Sequence, residues 1–451
     1  MLLRFEEATE YSATISLHCN EDPNNYYSAL VQSQSIATIP SFTLESGVTL
    51  QSVPVAYSTW GSLNEERDNV LVVCHALTGS SDALDWWRPL IGPGNALDYT
   101  RYFVFCANVL GSPYGSASPL CANPTTGRPY GPAFPETTIR DDVRIHKLVL
   151  DALRVRSIAA VIGGSMGGMT TLEWPLCTPH GYVKNIIPIA TSAYHGAWGI
   201  SWGETQRQAI YSDAAFKSGW YEPTPEGQPK KGLGTARMIA MLTYRSHCSF
   251  ESRFSRKPAA SATKVLSAGG LPTPPSSHRG SLSPDTEVLQ EQQSPINFSA
   301  QSYLHYQADK FLKRFDANCY IHLTKKIDTH DVTRDRVPCV SRPPSEEQLH
   351  AVLGVVPPKA LVVSVETDVL FRPEQQLELA KCLPDAKLVV LESPDGHDGF
   401  LLEFETLNRA IKAHLEERCP WVYESEANED ADKEAEGVVN SVFGEAECVE
   451  F

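Results

Sequence analysis

A single serine stands among four glycines in the stretch VIGGSMGGMT, residues 161–170. Gly163 to Gly167 match the pattern G-x-S-x-G, in which a sharp strand-to-helix turn exposes a serine hydroxyl as a nucleophile. An apolar run, residues 158–162, precedes the motif, and MTTLEWPLC can begin a helix after it. We therefore predict a nucleophile at Ser165. The competing interpretation is a glycine-rich turn with a spectator serine.

A serine nucleophile needs a base, and the base needs a carboxylate that orients it. With this type of turn the partners follow the serine in the order Asp, then His, on loops after later strands. Asp368 closely follows the apolar run ALVVSVE, and His397 lies in SPDGHDGF just beyond KLVVLE. Asp395 and Asp398 are rival carboxylates, but as close sequence neighbours of His397 they are poorly placed to orient it. The sequence thus predicts the triad Ser165, Asp368 and His397.

Acyl transfer through a serine also needs two N–H groups that stabilise the negative oxygen of the intermediate. Met166 follows the nucleophile and would supply the first at a helix N-terminus, which favours a nearby anion. The second is expected from the loop after an early strand, in VVCHALTGSSD, residues 72–82. We predict Leu77 as this donor, with Thr78 as the alternative. A merely polar turn is the competing interpretation of this segment.

The elements that must position these residues alternate between apolar runs and amphipathic stretches. The apolar runs, which are typical of strands buried on both faces of a parallel sheet, are residues 69–74, 102–109, 158–162, 185–190, 360–366 and 387–392. Between them, residues 137–155 have apolar side chains at helical spacing. This alternation predicts the α/β class, with a mostly parallel, doubly wound sheet.

A long interruption separates the fourth and fifth of these runs. Roughly 170 residues are too many for an ordinary crossover loop. Helix-like stretches at 202–216, 233–245 and 300–316 predict an inserted helical lid. The predicted organisation is an N-terminal arm (1–45), a first core segment (46–192), the lid (193–345), a second core segment (346–423) and an acidic tail (424–451). Residues 253–296, rich in Ser, Pro and Gly, and the tail are predicted to be disordered.

Composition and charge argue against several classes of function. The net charge is −16, and ten of the 54 acidic residues follow Tyr423, so the rest of the chain is only mildly acidic and does not favour nucleic acid. No segment is typical of a membrane span, a membrane-surface helix or a signal peptide. The eleven cysteines are scattered without a C-x-x-C pair, which favours free thiols over a zinc site or disulfide framework. We therefore expect a soluble cytoplasmic protein with no metal site.

Several blocks of the sequence together resemble the homoserine O-acetyltransferase family. The blocks are CHALTGS, NVLGSPYGSASP, FPETTIRDDVR, GGSMGGMTTLEW, ETQRQAI, TARMIAMLTYRS, DANCYIHLTKKIDTHD, DVLFRPEQQLELA and GHDGFLLE, within residues 45–420. The long Ser/Pro insertion and the N-terminal arm resemble the fungal branch. The resemblance implies an α/β-hydrolase fold with a helical lid and acetyl transfer from acetyl-CoA to L-homoserine in methionine biosynthesis. It also implies no permanently bound cofactor, and homodimers that contact through the lid.

The resemblance also implies roles for individual residues. The family's triad falls on the three residues predicted above, and its substrate-binding positions match Arg237 in TARMI and Asp398 beside His397. Homoserine is a zwitterion, so its carboxylate suits a guanidinium and its ammonium suits a carboxylate. A solvated lid cation and a helix cap are the competing interpretations of these two residues. The mechanism we infer is ping-pong, with the acetyl group first on Ser165.

Other activities remain open at this point. The same fold could acetylate deacetylcephalosporin C or serine, use a succinyl donor, or hydrolyse esters. The intact GHDGFLLE block favours the homoserine branch. A catalytically inactive binding module would be expected to lack a member of the triad, and none is missing.

Overall fold

The computed structural model describes residues 15–19, 25–32, 34–259, 296–338, 343–424 and 426–428. Within these residues one sheet has nine strands in the order β1-β2-β3-β5-β4-β6-β7-β8-β9. The strands are β1 (Ser16–Cys19), β2 (Ser35–Thr43), β3 (Thr49–Trp60), β4 (Val70–Cys74), β5 (Phe103–Ala107), β6 (Ile158–Gly164), β7 (Ile186–Ile189), β8 (Leu361–Val365) and β9 (Lys387–Leu391). All six predicted apolar runs form strands, β4 to β9.

Helices cover both faces of this sheet and form the insertion. The α-helices of the described residues are α1 (Ala83–Trp87), α2 (Ile139–Ala152), α3 (Met166–Cys177), α4 (Ala197–Tyr211), α5 (Lys230–Tyr244), α6 (His247–Arg253), α7 (Ser299–Leu312), α8 (Ala317–Asp328), α9 (Glu346–Leu353), α10 (Pro373–Cys382), α11 (Phe404–Arg418) and α12 (Pro420–Tyr423). Two separate apolar clusters of the core line the two faces of the sheet, as a doubly wound fold requires.

Strands β4 to β9 pair in parallel, whereas β1, β2, β3 and β5 pair antiparallel in that order. Every residue of β4, β5, β6, β7 and β8 is buried, which explains their nearly continuous apolar sequences. The edge strand β9 is only partly buried. The predicted mostly parallel, doubly wound sheet is confirmed.

The segment predicted as an N-terminal arm contributes strands to this sheet. β2 lies within residues 1–45, and Ala37, Ile39 and Phe42 of β2 are buried where it pairs with β3. Tyr27 is also fully buried. Residues 1–14, 260–295 and 429–451 lie outside the described residues. Most of the insertion and of the acidic tail that we predicted to be disordered falls there.

Helix α8 and the segment after α7 contact the loops at the carboxyl ends of β4 and β5. Lys326 on α8 lies 2.7 Å from Asp142 on α2 and 2.6 Å from the carbonyl oxygen of Leu110. Arg314, which follows α7, donates to the carbonyl oxygen of Thr78 at 2.9 Å. Burial raises the pKa of Asp142 to about 6, although the Lys326 charge opposes that shift. These buried contacts hold the helical insertion against the edge of the sheet where strands β4 and β5 end.

Candidate active site

The predicted nucleophile lies on a strained turn between β6 and α3. β6 ends at Gly164, α3 begins at Met166, and Ser165 between them has φ 59° and ψ −123°. A positive φ at a residue with a Cβ costs on the order of 1–3 kcal/mol and persists only where the surroundings impose it. The N–H of Ser165 donates to the carbonyl oxygen of Ile189, and the Thr191 hydroxyl donates to the carbonyl oxygen of Ser165 at 2.8 Å. The neighbouring β7 segment therefore fixes this turn.

The glycines around the serine are required by close approaches of other atoms. A Cβ on Gly163 would lie 2.4 Å from the carbonyl oxygen of Gly167, and one on Gly167 would lie 2.1 Å from that of Cys74. A Cβ on Gly164 would lie 2.4 Å from the ring of Phe400. No side chain fits at these positions without moving the backbone or an aromatic ring. The pattern G-x-S-x-G is thus explained by packing on both sides of the serine.

Asp368 and His397 form a buried hydrogen-bonded pair. His397 Nδ1 donates to Asp368 Oδ2 at 2.6 Å, and both residues are only 3% exposed. The other carboxylate oxygen, Oδ1, accepts the backbone N–H groups of Leu370 and Phe371 at 2.8 and 2.9 Å. The carboxylate thus accepts three hydrogen bonds, which fix its orientation towards His397. The pair therefore keeps the proton of the imidazole on Nδ1 and leaves Nε2 able to act as a base.

Strand order brings this pair to the same edge of the sheet as the serine. β6, β7, β8 and β9 are parallel neighbours, so the loops that follow them lie at one edge. The Phe400 ring lies against Gly164, the residue before Ser165, and 5.3 Å from the His397 ring. The Phe371 ring lies 5.2 Å from the imidazole. The turn that carries Ser165 and the Asp368–His397 pair thus both border the Phe400 ring at this edge of the sheet, and their joint role as a triad stays a prediction.

The loop after β4 lies directly against the elbow. The backbone of Gly167 approaches the carbonyl oxygens of Cys74 and His75 so closely that a Cβ would lie within 2.1 and 3.0 Å of them. Leu77 packs on the apolar cluster that contains Met166, which is fully buried at the start of α3. These are suitable positions for the two N–H groups of an oxyanion hole, and their roles stay predictions.

His75 is a residue of this loop that the sequence analysis did not single out. Its Nδ1 lies 2.8 Å from the carbonyl oxygen of Ala76, and its Nε2 accepts the N–H of Val109 at 3.2 Å. Burial lowers the pKa of His75 to about 4, so the ring is neutral at neutral pH. A neutral imidazole that accepts through Nε2 carries its proton on Nδ1, which donates to Ala76. His75 therefore shapes the loop that carries Leu77 but does not serve as a base.

Arg237 lies deep in the lid, close to the catalytic pair. It is on α5 and only 1% exposed, with its guanidinium 4.8 Å from the Phe311 ring centroid and 5.5 Å from that of Tyr244. The Tyr244 ring is in turn 6.2 Å from the His397 ring. The burial of Arg237 excludes a solvated surface cation. A single aromatic ring, that of Tyr244, separates its guanidinium from the imidazole of His397.

Asp398 is also buried, 3% exposed, and it has a partner that the sequence analysis missed. Arg245 Nε lies 2.9 Å from Asp398 Oδ2, and Arg245 Nη1 lies 2.8 Å from Asp395 Oδ1. The two rival carboxylates thus bind an arginine of the lid, whereas Asp368 alone bonds His397 Nδ1. Nothing in the segment TYRSH distinguishes Arg245 from a solvated cation at a helix end, so the sequence held no signal for this contact.

The described residues carry neither a cluster of metal ligands nor a membrane-spanning helix. They contain no group of three or more His, Cys, Asp or Glu side chains that could hold a metal ion. Among the same residues, no helix combines the length and apolar character needed to cross a membrane.

Comparison with known proteins agrees with the fold. A family described as "alpha/beta hydrolase fold" matches residues 69–404. The chain is 47% identical to the homoserine O-acetyltransferase of Cryptococcus neoformans var. grubii, which covers 95% of this chain and 97% of the relative. It is 48% identical to the homoserine O-acetyltransferase of Emericella nidulans, over 95% of this chain and 96% of the relative.

Among solved structures, the crystal structure of an esterase has a TM-score of 0.68 at 25% identity, covering 85% of this chain and 99% of the esterase. The α/β-hydrolase fold predicted from the sequence is confirmed, and so is the predicted family. The chain belongs to the homoserine O-acetyltransferase family, whose members have the α/β-hydrolase fold.

Proposed function

We propose that this chain transfers the acetyl group of acetyl-CoA to the hydroxyl of L-homoserine, a step of methionine biosynthesis. The fungal relatives named homoserine O-acetyltransferase support this reaction, because their identity extends over nearly the whole chain. The observation on this chain that carries the proposal is that Arg237 and Asp398 are both buried near His397. A zwitterionic acceptor needs such a cation and such an anion, one for each of its charged groups.

In the first half of the reaction, Ser165 Oγ attacks the carbonyl carbon of the acetyl thioester while His397 Nε2 takes the hydroxyl proton. The N–H groups of Met166 and Leu77 stabilise the negative oxygen of the tetrahedral intermediate. The carbon–sulfur bond breaks, and the proton on His397 passes to the sulfur, so that CoA leaves as a thiol. The 2.6 Å bond to Asp368 supports this role of His397, because it stabilises the imidazolium that forms.

In the second half, the hydroxyl of homoserine attacks acetyl-Ser165. His397 Nε2 takes the hydroxyl proton and returns it to Ser165 Oγ as the ester bond to the enzyme breaks. Water competes with homoserine for the acetyl group, so the reaction needs a site that excludes water. The small exposures of Ser165 (8%) and His397 (3%) support such exclusion.

An esterase of the same fold is the second candidate, and a specific observation favours it. A triad and an oxyanion hole are sufficient for ester hydrolysis, and the solved esterase has a TM-score of 0.68 with this chain. Ester hydrolysis, however, makes no use of a buried guanidinium and carboxylate arranged for a zwitterion. Arg237 and Asp398 therefore favour the transferase.

The test incubates the purified chain with acetyl-CoA and one acceptor at a time: L-homoserine, L-serine or deacetylcephalosporin C. A parallel series replaces acetyl-CoA with succinyl-CoA. We expect the highest kcat/KM with acetyl-CoA and homoserine, and no transfer by Ser165→Ala. A better acceptor than homoserine, or hydrolysis faster than transfer at saturating homoserine, would contradict the proposal.

We also propose that the chain works in the cytoplasm and pairs with a second copy through its lid. Leu242 on α5 and Trp198 on α4 support pairing, because they are 50% and 55% exposed on lid helices. Eight cysteines among the described residues have free thiols, which suits a reducing compartment. Sedimentation of the wild type and of Leu242→Glu tests the pairing, and imaging of a tagged chain tests the compartment.

A further inference from the structure

Arg245 connects the lid to both sides of the catalytic histidine. It directly follows α5 as the C-cap residue of that helix, and it is 7% exposed. Its guanidinium binds Asp395 at 2.8 Å and Asp398 at 2.9 Å, and these two carboxylates flank His397 in the sequence. One lid side chain thus holds a carboxylate two residues before the base and another directly after it.

The backbone at this contact is packed too closely to shift freely. Gly396 has φ +70°, and a Cβ there would lie 2.6 Å from the N atom of Ser246. The Ser246 hydroxyl donates to the carbonyl oxygen of Pro394, and the Ser249 hydroxyl donates to Asp395 at 2.5 Å. The turn between α5 and α6 therefore moves as one unit with the loop that carries His397.

The charge of Arg245 is secure in this environment. Burial alone would lower the pKa of Arg245, but the charges of Asp398 and Asp395 raise it above its usual value. The 2.9 Å contact between Arg245 Nε and Asp398 Oδ2 is an ion pair without hydrogen-bond geometry, whereas Arg245 Nη1 donates a hydrogen bond to Asp395 Oδ1. The bond to Asp395 holds the guanidinium in place, and its charge keeps the Asp398 carboxylate beside the lid.

We propose that Arg245 is a positioning residue that orients Asp398 to receive the ammonium group of the acceptor. This inference rests on the proposed function and adds to it a lid residue that does not itself contact the substrate. The arrangement makes recognition of the amino group depend on the lid: without Arg245, the Asp398 carboxylate loses this lid counter-ion, and the ammonium of the acceptor is bound less well. The acylation half-reaction does not use that carboxylate.

The experiment compares Arg245→Met, which has a similar length and no charge, with Arg245→Lys, which keeps the charge and loses the planar fork. Arg207→Met is the matched control, because Arg207 is another buried lid arginine, bound to Asp328 at 2.7 Å, away from the histidine loop. Homoserine KM and kcat are measured with acetyl-CoA, and acylation is measured separately as nitrophenol release from nitrophenyl acetate.

We expect Arg245→Met to raise the KM for homoserine about 30-fold, while the acylation rate falls less than about threefold, since a charge-assisted contact controls acceptor binding. Arg245→Lys should raise this KM about fivefold, and Arg207→Met less than about twofold. For the homoserine analogue that lacks the amino group, Arg245→Met should leave the KM within about twofold of wild type. If Arg245→Met does not fold, the Lys variant and this analogue carry the same comparison.

A double-mutant cycle with Asp398→Asn tests whether Arg245 acts through Asp398. In that background Arg245→Met should change the homoserine KM by less than about twofold. Additive effects, an acylation rate that falls as much as transfer does, or an equal rise with the amino-lacking analogue would overturn the positioning role. A wild-type chain that does not acetylate homoserine would refute the proposed function instead, whereas wild-type transfer with an unchanged KM in Arg245→Met would refute the positioning role alone.

Discussion

Replacing Asp368 by Asn tests the catalytic pair with a change of one atom type. The carboxylate accepts two backbone N–H groups on Oδ1 and the imidazole Nδ1–H on Oδ2. An Asn side chain has one acceptor oxygen, and the two fixed N–H groups of Leu370 and Phe371 require that oxygen on their side. The amide NH₂ then faces Nδ1 of His397. The imidazole must consequently carry its proton on Nε2, where it can no longer accept a proton from Ser165.

The size of the effect follows from this tautomer. Loss of the base and of the stabilised imidazolium lowers the rate of acylation by about 10⁴-fold, which corresponds to about 5 kcal/mol of activation free energy. The folded state should lose only about 1–2 kcal/mol of its free energy of unfolding, since three hydrogen bonds are kept with altered polarity. Asp368→Asn should therefore be a folded protein that is nearly inactive.

The assay is the initial rate of nitrophenol release from nitrophenyl acetate, together with urea unfolding of each variant. Asp98→Asn is the matched control, because Asp98 is a buried carboxylate that also accepts two backbone N–H groups, from Gly94 and Thr100. We expect it to lose similar stability and less than about twofold in rate. If Asp368→Asn keeps more than about a tenth of the wild-type rate, Asp368 does not orient the base and the reasoning fails.

Gly167→Ala would bring a Cβ within 2.1 Å of the Cys74 carbonyl oxygen, so acylation should fall at least about 100-fold, whereas Gly234→Ala, whose nearest contact is 3.6 Å, should keep its rate. Asp142→Asn leaves buried Lys326 without its counter-ion and should cost about 3–5 kcal/mol in urea unfolding, and adding Lys326→Met should recover most of that loss. Acid should destabilise the fold, because burial lowers the pKa of buried histidines below the unfolded value of about 6.5. These histidines are His75, His146, His322, His330 and His414. The stabilisation of the fold by these neutral histidines is complete above about pH 6.5. It is lost as the pH falls towards their folded-state pKa values, by up to about 1.4 kcal/mol per histidine and pH unit. Equal urea midpoints of unfolding at about pH 7.5 and about pH 5.5 would contradict this account.

The parallel half of the sheet could be predicted because strands buried on both faces need nearly continuous apolar sequence. β2 was missed as a strand because its sequence does not alternate strictly: Ala37, Ile39 and Phe42 are buried, and the order of apolar and polar residues shifts between Ile39 and Phe42. Helix α8 was also missed: ten of its twelve residues are buried, and polar residues such as His322, Thr324 and Lys326 are among them, so its sequence did not show how deeply it packs. The pattern of one segment reports burial, and burial depends on neighbours from other parts of the chain.

The triad residues could be predicted because an elbow motif and a fixed chain order constrain them together. Arg245 could not, since its partner Asp395 is 150 positions away in the sequence and a single arginine has no pattern. His75 was likewise invisible, because burial makes it a neutral hydrogen-bonding group, and burial is a property of the folded loop. Positioning residues of this kind require the tertiary structure.

The central claim is that the acetyl group passes to homoserine through Ser165. Mixing the protein with acetyl-CoA without an acceptor, followed by rapid quenching and mass spectrometry of the peptide that contains Ser165, measures this directly. The account predicts one acetyl group on Ser165, none in Ser165→Ala, and its transfer to homoserine faster than its loss to water. Acetylation elsewhere, product formation without an acetylated Ser165, or equal discharge by water would contradict it.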